Sequence, residues 1–281
     1  MLRWPSLFTP GNVILGNLAG DIMTTMSELG SVRGVSSGSK APFPANHPWD
    51  RNFFLLWIGL AWVGILGGFV PEMIKHVQGH EQPYPVIVHF HAAAFVGWLV
   101  LFTAQILLIR ANNRPVHRKL GYGMLAIAVS MAFLGPMTAL IVGHRDIGTP
   151  AANPGFLSIQ FTDIAAFVGL TAAAVTFRNS PATHKRLMLL GTLYITDAGF
   201  GRIALAMKVP IHGPLDFWAV LYAGSATLIL GLGAYDLVTR RRLHPAYLAG
   251  AGYAFALQAT AVILFGLPAW KALATKIIAA V

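Results

Sequence analysis

The sequence predicts an all-α integral membrane protein built as a bundle of seven transmembrane helices. Hydrophobic residues make up 56% of the 281 residues and charged residues only 11%, whereas a soluble domain has roughly 25% charged residues. Apolar stretches of about 20 residues, the length that crosses the hydrocarbon core of a bilayer, recur along the chain. Lys and Arg are concentrated in alternate connections between these stretches. This composition excludes an ordinary cytosolic enzyme and a disordered chain.

The candidate spans are separated by short connections that contain Pro, Gly or Asn, the residues typical of turns. They cover residues 53–73, 84–109, 121–143, 155–177, 186–206, 215–237 and 246–268. The fifth span is the least regular, because Asp197 and Arg202 interrupt its apolar sequence. We therefore expect three regions: an N-terminal extension over 1–50, a transmembrane domain over 51–270 and a short C-terminal tail over 271–281.

The distribution of basic residues predicts the orientation of the bundle. One set of alternate connections holds Arg110, Arg114, Arg118, Lys119, Arg178, Lys185, Arg186, Arg240, Arg241 and Arg242, and the other set holds Lys75, Arg145 and Lys208. Because cytoplasmic loops are enriched in Lys and Arg, the first set is expected in the cytoplasm. The N-terminus is then cytoplasmic and the C-terminus periplasmic, in a bacterial inner membrane. We expect membrane lipids as contacts of the basic residues and no nucleic-acid partner, despite a net charge of +10.

The first 50 residues do not form a span. Pro5, Pro10 and Asp21 interrupt a mildly apolar sequence, and residues 30–48 have the Gly, Ser and Pro content of a linker. The segment also lacks the apolar core and cleavage site of a secretory signal. Two interpretations stay open: a disordered tail, or a partly interfacial helix near 12–29 that docks on a partner.

Ionisable residues inside the predicted spans are the first candidates for a functional site, because a charge inside a bilayer is costly. His91, Asp163, Asp197 and Arg202 all fall in the outer half of the membrane. Arg202 is expected to reach Asp163 on the neighbouring helix, either as an ion pair that fixes packing or as part of a site. Gln105 lies on the same helix face as His91. We predict these five residues as cofactor-binding.

A second group of candidates lies at the outer ends of the spans and suits a metal ion. His76 and His80 have the i, i+4 spacing that brings two ligands to one helical face, and His89 and His144 lie on the same side. The chain contains no cysteine, which excludes thiolate sites and Fe–S clusters. The cofactors that remain are a Cu or Zn ion or a single haem b with His91 as a ligand. The alternative is that these outer histidines are merely solvated.

The predicted cytoplasmic side repeats one pattern at two helix starts. Residues 114–120 and 180–187 both contain Pro, a short gap, and then His, two basic residues and Leu. The repeat suggests two related hairpins. Its basic residues either bind an anion or lipid headgroup or simply anchor the helices on the cytoplasmic side. The candidate lipid or anion ligands are His117, Arg118, Lys119, His184, Lys185 and Arg186.

Three motifs resemble a family of uncharacterised bacterial polytopic membrane proteins. A His-x-His start followed by Trp and Gln occupies residues 89–105, a His-Arg-x-Leu-Gly turn occupies 117–121, and His-Lys-Arg-Leu-Met occupies 184–188. The Asp163 helix and Arg202 are similar to the later part of the same pattern. The resemblance covers residues 50–205 and implies a polytopic helical fold, but no activity.

Three functions are compatible with these residues. The leading hypothesis is a redox or assembly protein that handles a cofactor or metal at a polar site in the outer half of the bundle. In it His91 is a ligand or proton carrier, Asp163 and Asp197 are ligands or proton acceptors, and Arg202 neutralises them. The alternatives are a non-catalytic accessory subunit of a larger membrane complex and a proton-coupled small-molecule transporter that uses both aspartates.

Overall fold

The computed structural model describes residues 43–79 and 82–281, and all regular secondary structure within them is helical. The helices are α1 (Asp50–Gln78), α2 (Val86–Arg110), α3 (Arg114–Arg145), α4 (Leu157–Thr176), α5 (Pro181–Tyr194), α6 (Asp197–Ala206), α7 (Pro214–Arg240), α8 (Pro245–Gly266) and α9 (Pro268–Ala279). A 3₁₀ turn, Pro154–Phe156, leads into α4. The expectations for residues 1–42 lie outside the described residues.

Six of the described helices are long and apolar enough to cross a membrane: α1, α2, α3, α4 with its 3₁₀ turn, α7 and α8. They indicate a multi-pass membrane protein and coincide with six of the predicted spans. The remaining predicted span, 186–206, is divided into α5 and α6, which meet at Ile195 and Thr196. Most of the expected C-terminal tail belongs to α9.

Proline marks the start of most of these helices. It occupies the first turn of α3, α5, α7, α8 and α9. A proline there costs nothing, since the first N–H groups of a helix have no partner within it, and its fixed φ suits the helix. The Asn113 side chain also accepts a hydrogen bond from the backbone N–H of Val116 at the start of α3.

Ion pairs near the two ends of α1 define two opposite faces of the bundle. Lys185 at the start of α5 and Arg240 at the end of α7 both bond the carboxylate of Asp50 at the start of α1. At the other face, Arg202 of α6 pairs with Glu72 of α1. We call these faces the Asp50 end and the Glu72 end.

α5 lies at the centre of the core, and α6 is packed backbone to backbone against α1. Leu189, Leu190 and Leu193 of α5 are fully buried. A Cβ atom placed on Gly68 of α1 would lie 2.2 Å from the carbonyl oxygen of Gly199 on α6. Only glycine permits this approach, which sets the position of α6 against α1.

Candidate functional site

Two aspartates predicted from the sequence are brought side by side within the bundle. Asp163 lies on α4 and Asp197 is the first residue of α6, and their carboxyl groups lie within hydrogen-bonding range of each other. Asp197 is buried, and the Oδ1 atom of Asp163 is buried without a hydrogen-bond partner. A carboxyl pair in contact is therefore the centre of the candidate site.

The break between α5 and α6 explains why a carboxylate is tolerated at this depth. Helix α6 starts at Asp197, whose Oδ1 atom accepts a 2.6 Å hydrogen bond from the backbone N–H of Ala198. The unpaired N–H groups and the dipole at a helix N-terminus favour negative charge. From the helical rise, Asp197 lies about 14 Å from the end of α6 and Asp163 about 9 Å from the start of α4. Both aspartates thus lie in the half of the bundle nearer the Glu72 end.

Two tyrosines that the sequence analysis did not select complete the cluster. Tyr194, the last residue of α5, and Tyr222 of α7 are both fully buried, with ring centroids 6.2 Å apart. Each lies within electrostatic range of both carboxyl groups. Tyr194 could have been found from the sequence, because it precedes Asp197 by one helical turn. Tyr222 could not, because its position depends on how α7 is rotated. We call Asp163, Asp197, Tyr194 and Tyr222 the carboxyl–tyrosine cluster.

Three buried oxygen atoms of the cluster have no hydrogen-bond partner among residues 43–79 and 82–281: Oδ1 of Asp163 and the hydroxyl oxygens of Tyr194 and Tyr222. Thr162 lies beside both phenols, and the two tyrosines lie beside each other. The Thr162 hydroxyl donates to backbone carbonyls of α4, and neither phenol oxygen forms a well-directed hydrogen bond with its neighbours in the described chain. Each unpartnered buried polar group costs about 1–3 kcal/mol. Three such groups within one cluster make it a candidate binding site.

The predicted ion pair between Asp163 and Arg202 is wrong. Arg202 pairs with Glu72 of α1, donates a 2.8 Å hydrogen bond to the carbonyl of Ala198, and lies 4.1 Å from the ring centroid of Phe69. Because α6 packs on α1 through glycine, Arg202 faces α1 and not α4. Among the described residues, no Lys or Arg forms an ion pair with either aspartate of the cluster.

The other two residues predicted as cofactor-binding lie in different halves of the bundle. His91 stacks on Phe95 with ring centroids 4.2 Å apart and lies against the backbone of Leu134 on α3, and its Nδ1 atom is buried without a partner. Gln105 donates a 3.1 Å hydrogen bond to the carbonyl of His117, about 21 Å further along α2 from His91 by the helical rise. Gln105 therefore belongs to the Asp50 end.

The histidines predicted as metal ligands have separate surroundings. His76 stacks on Tyr84 at 4.0 Å, His144 bonds the carbonyl of Ile278 through Nδ1 at 3.0 Å, and His89 is exposed. His80 lies outside the described residues. Over residues 43–79 and 82–281, no three His, Asp or Glu side chains form a group able to hold a metal ion. The predicted metal or haem site thus receives no support from the described part of the chain.

Two of the residues predicted to bind lipid or anion are engaged by carboxylates of the same chain. Arg186 and Asp236 form a fully buried ion pair, with a 2.7 Å bond from Nε to Oδ2. Lys185 lies 2.7 Å from Asp50, which Arg240 also contacts at 2.9 Å. Burial lowers the pKa of Lys185, and the adjacent Asp50 carboxylate opposes that shift. The two aspartates were not selected from the sequence, although each lies at a span end that faces a basic segment.

The rest of the repeated basic pattern also lies at the Asp50 end. His184 bonds the carbonyl of Ala174 through Nδ1 at 2.8 Å. His117 lies within electrostatic range of His184, and its Nδ1 atom is buried without a partner. Arg118 and Lys119 follow on the exposed first turns of α3. Whether these residues bind lipid stays a prediction.

Residues 43–49 of the predicted extension cross the Asp50 end and pack on the bundle. The ring of Phe43 lies 4.7 Å from the guanidinium of Arg186 and 5.3 Å from that of Arg242. The carbonyl of Ala45 accepts a 2.6 Å hydrogen bond from Lys185. His244 meets the Phe43 ring edge-on, and burial together with the charge of Arg186 lowers the pKa of His244.

Comparison with protein-family models, with curated proteins and with solved structures finds no match for this chain. The resemblance drawn from the His-x-His and His-Lys-Arg-Leu-Met motifs therefore stays a prediction. The carboxyl–tyrosine cluster is the strongest ground for a functional argument.

Proposed function

We propose that this protein is a proton-coupled transporter of a small solute, with Asp163 and Asp197 as its proton-binding site. The observation that carries the proposal is the contact between two carboxyl groups at an interrupted helix, with no basic side chain in the described part of the chain paired to either. Ionisable residues inside membrane domains mark proton and ion pathways.

Electrostatics explains why such a pair handles protons. Two adjacent carboxylates in an apolar interior repel each other strongly, so the pair holds one proton between its members. Release of that proton leaves two neighbouring negative charges, which favour either rebinding of a proton or binding of another cation. The carboxyl pair thereby couples the binding of a proton to the binding of a second cation.

The interrupted helix supports the same proposal. Transporters commonly place their binding sites where a spanning helix is broken near the middle of the membrane, because the break frees backbone polar groups and creates helix ends. In this proposal α5 and α6 together form a seventh crossing, and their junction lies directly beside Asp197. The Lys and Arg distribution puts the Asp50 end in the cytoplasm and the Glu72 end in the periplasm of a bacterial inner membrane. The pair then lies closer to the periplasmic side.

The redox or assembly hypothesis has weaker support. It needs His91 to act together with the aspartates, whereas the described contacts of His91 are with Phe95 and with α3. Gln105 lies in the other half of the bundle. The accessory-subunit hypothesis has no specific contact in its favour.

The test is proton binding by the reconstituted protein. Proteoliposomes on a solid-supported membrane are exposed to a pH jump, and the transient current is recorded for the wild type, Asp163→Asn and Asp197→Asn. We expect both variants to lose the current. The matched control is Asp216→Asn, the same chemical change at a half-buried carboxylate in the first turn of α7, outside the carboxyl–tyrosine cluster.

Circular dichroism and size-exclusion chromatography establish that each variant is folded. A folded Asp163→Asn protein with an undiminished current would refute the proposal. Loss of the current in Asp216→Asn as well would also refute it, because the signal would then not belong to the buried pair.

A further inference from the structure

We infer that the carboxyl–tyrosine cluster binds a small organic cation with N–H donors, an alkylammonium ion, in exchange for the proton shared by Asp163 and Asp197. This inference rests on the proposed function and names the substrate class for the same site. It is carried by the three unpartnered oxygen atoms and by the balance of charge around them.

The atoms that lack partners all accept hydrogen bonds. Oδ1 of Asp163 is a carboxyl oxygen, and the hydroxyl oxygens of Tyr194 and Tyr222 each have free lone pairs. Both tyrosines are fully buried, so water from bulk solvent does not satisfy them. An ammonium group carries three N–H donors and no acceptor. An ammonium group donates to the Asp163 oxygen and to phenol lone pairs, while the phenol O–H groups themselves donate to the neighbouring carboxylates. An anionic ligand would instead add negative charge beside the carboxyl pair.

The charges that surround the cluster favour a cation. α4 contributes Asp163, and α6 contributes Asp197 and Arg202, the last of which is engaged by Glu72 of α1. Apart from Arg110 in its last turn, α2 contributes His89 and His91 as ionisable groups. The segments 121–143 of α3, 187–194 of α5, 217–235 of α7 and 246–266 of α8 contain no Asp, Glu, Lys, Arg or His.

The cluster is therefore net negative whenever at least one member of the carboxyl pair is ionised. This negative charge acts against an anionic ligand. A small cation is the ligand class that these surroundings select.

Exchange of a proton for the cation preserves the charge of the site. The empty pair is one carboxylic acid and one carboxylate, with a charge of −1. When an alkylammonium ion enters, the acid O–H bond breaks and its proton leaves, so two carboxylates and one ammonium ion again total −1. No additional charge is buried, which avoids the large desolvation cost of an unpaired ion. The exchange thus couples the cation to a proton moving the opposite way.

The test uses methylammonium chloride and the purified full-length protein in detergent. Binding is followed by isothermal titration calorimetry, and proton release by a pH indicator in weak buffer. We expect methylammonium to bind and to release as many protons as cations are bound, and tetramethylammonium, which has no N–H donor, to do neither. Asp163→Asn should abolish both signals.

Tyr222→Phe removes one acceptor while keeping the ring and should weaken methylammonium binding about tenfold. Tyr122→Phe is the matched control, because Tyr122 is exposed on α3 at the Asp50 end and should bind methylammonium as the wild type does. Because both changes remove a single hydroxyl, they test the site without the risk that an aspartate substitution prevents folding.

The inference is overturned if methylammonium does not bind, if tetramethylammonium or Na⁺ binds equally well, or if Tyr222→Phe leaves the affinity unchanged. A pH-jump current without methylammonium binding overturns the ligand assignment and leaves the proton-binding proposal standing. Methylammonium binding at the cluster without a pH-jump current supports the ligand assignment and overturns proton-coupled transport.

Discussion

Substitution of Gly68 by Ala is the sharpest test of how α6, and with it Asp197, is positioned. A Cβ atom at residue 68 would lie 2.2 Å from the carbonyl oxygen of Gly199, and real Cβ contacts stay beyond 3.0 Å. The backbones of α1 and α6 must therefore separate by about 0.8 Å, in a core packed as densely as a crystal. Forcing extra volume into such a core costs about 1–3 kcal/mol. The cost exceeds the gain in helix propensity from Gly to Ala, roughly 1 kcal/mol.

Gly59→Ala is the matched control, because residue 59 lies on the same helix and a Cβ there would meet no atom within 4 Å. Thermal unfolding in detergent, followed by circular dichroism at one fixed scan rate, should show Gly68→Ala below and Gly59→Ala at or above the wild-type midpoint. Gly68→Ala should also reduce the pH-jump current, since the displaced helix begins at Asp197. Equal midpoints for the two variants would show that α1 and α6 are not in backbone contact.

Three further predictions follow from the ion pairs and from His244. Arg186→Met leaves Asp236 fully buried with only the longer, 3.5 Å ion pair to Arg240, and should lower the free energy of unfolding by about 3 kcal/mol. Adding Asp236→Leu should restore much of the lost free energy in chemical denaturation. Arg202→Gln removes a half-exposed pair with Glu72 and should cost at most about 1 kcal/mol, so a larger loss of stability would contradict the assigned pairing. Burial and Arg186 lower the pKa of His244, so the unfolded chain binds more protons. The free energy of unfolding should then fall as pH drops below the ordinary value of 6.5. His244→Gln should flatten that pH dependence of stability. An unchanged pH profile in this variant would contradict the assignment of the dependence to His244.

Six helices could be predicted from composition because the signal is local and strong. A run of about 20 apolar residues between charged connections has one favourable structure in a bilayer, and neighbouring segments do not alter it. The fifth span was harder, because Asp197, Gly199 and Gly201 weaken the helical signal within a single apolar run. The structure places two helices there, with the junction at Ile195 and Thr196.

The depth of Asp163 and Asp197 also follows from the sequence, because helical rise converts residue number directly into distance along a span. Rotation of a helix about its axis has no such local rule, since it depends on which surfaces of the neighbouring helices are complementary. The two aspartates could therefore be found from the sequence, whereas the partner of Arg202 and the position of Tyr222 could not. Contacts across the bundle, including the glycine approach of α1 to α6 that turns Arg202 toward Glu72, exist only once the helices have packed.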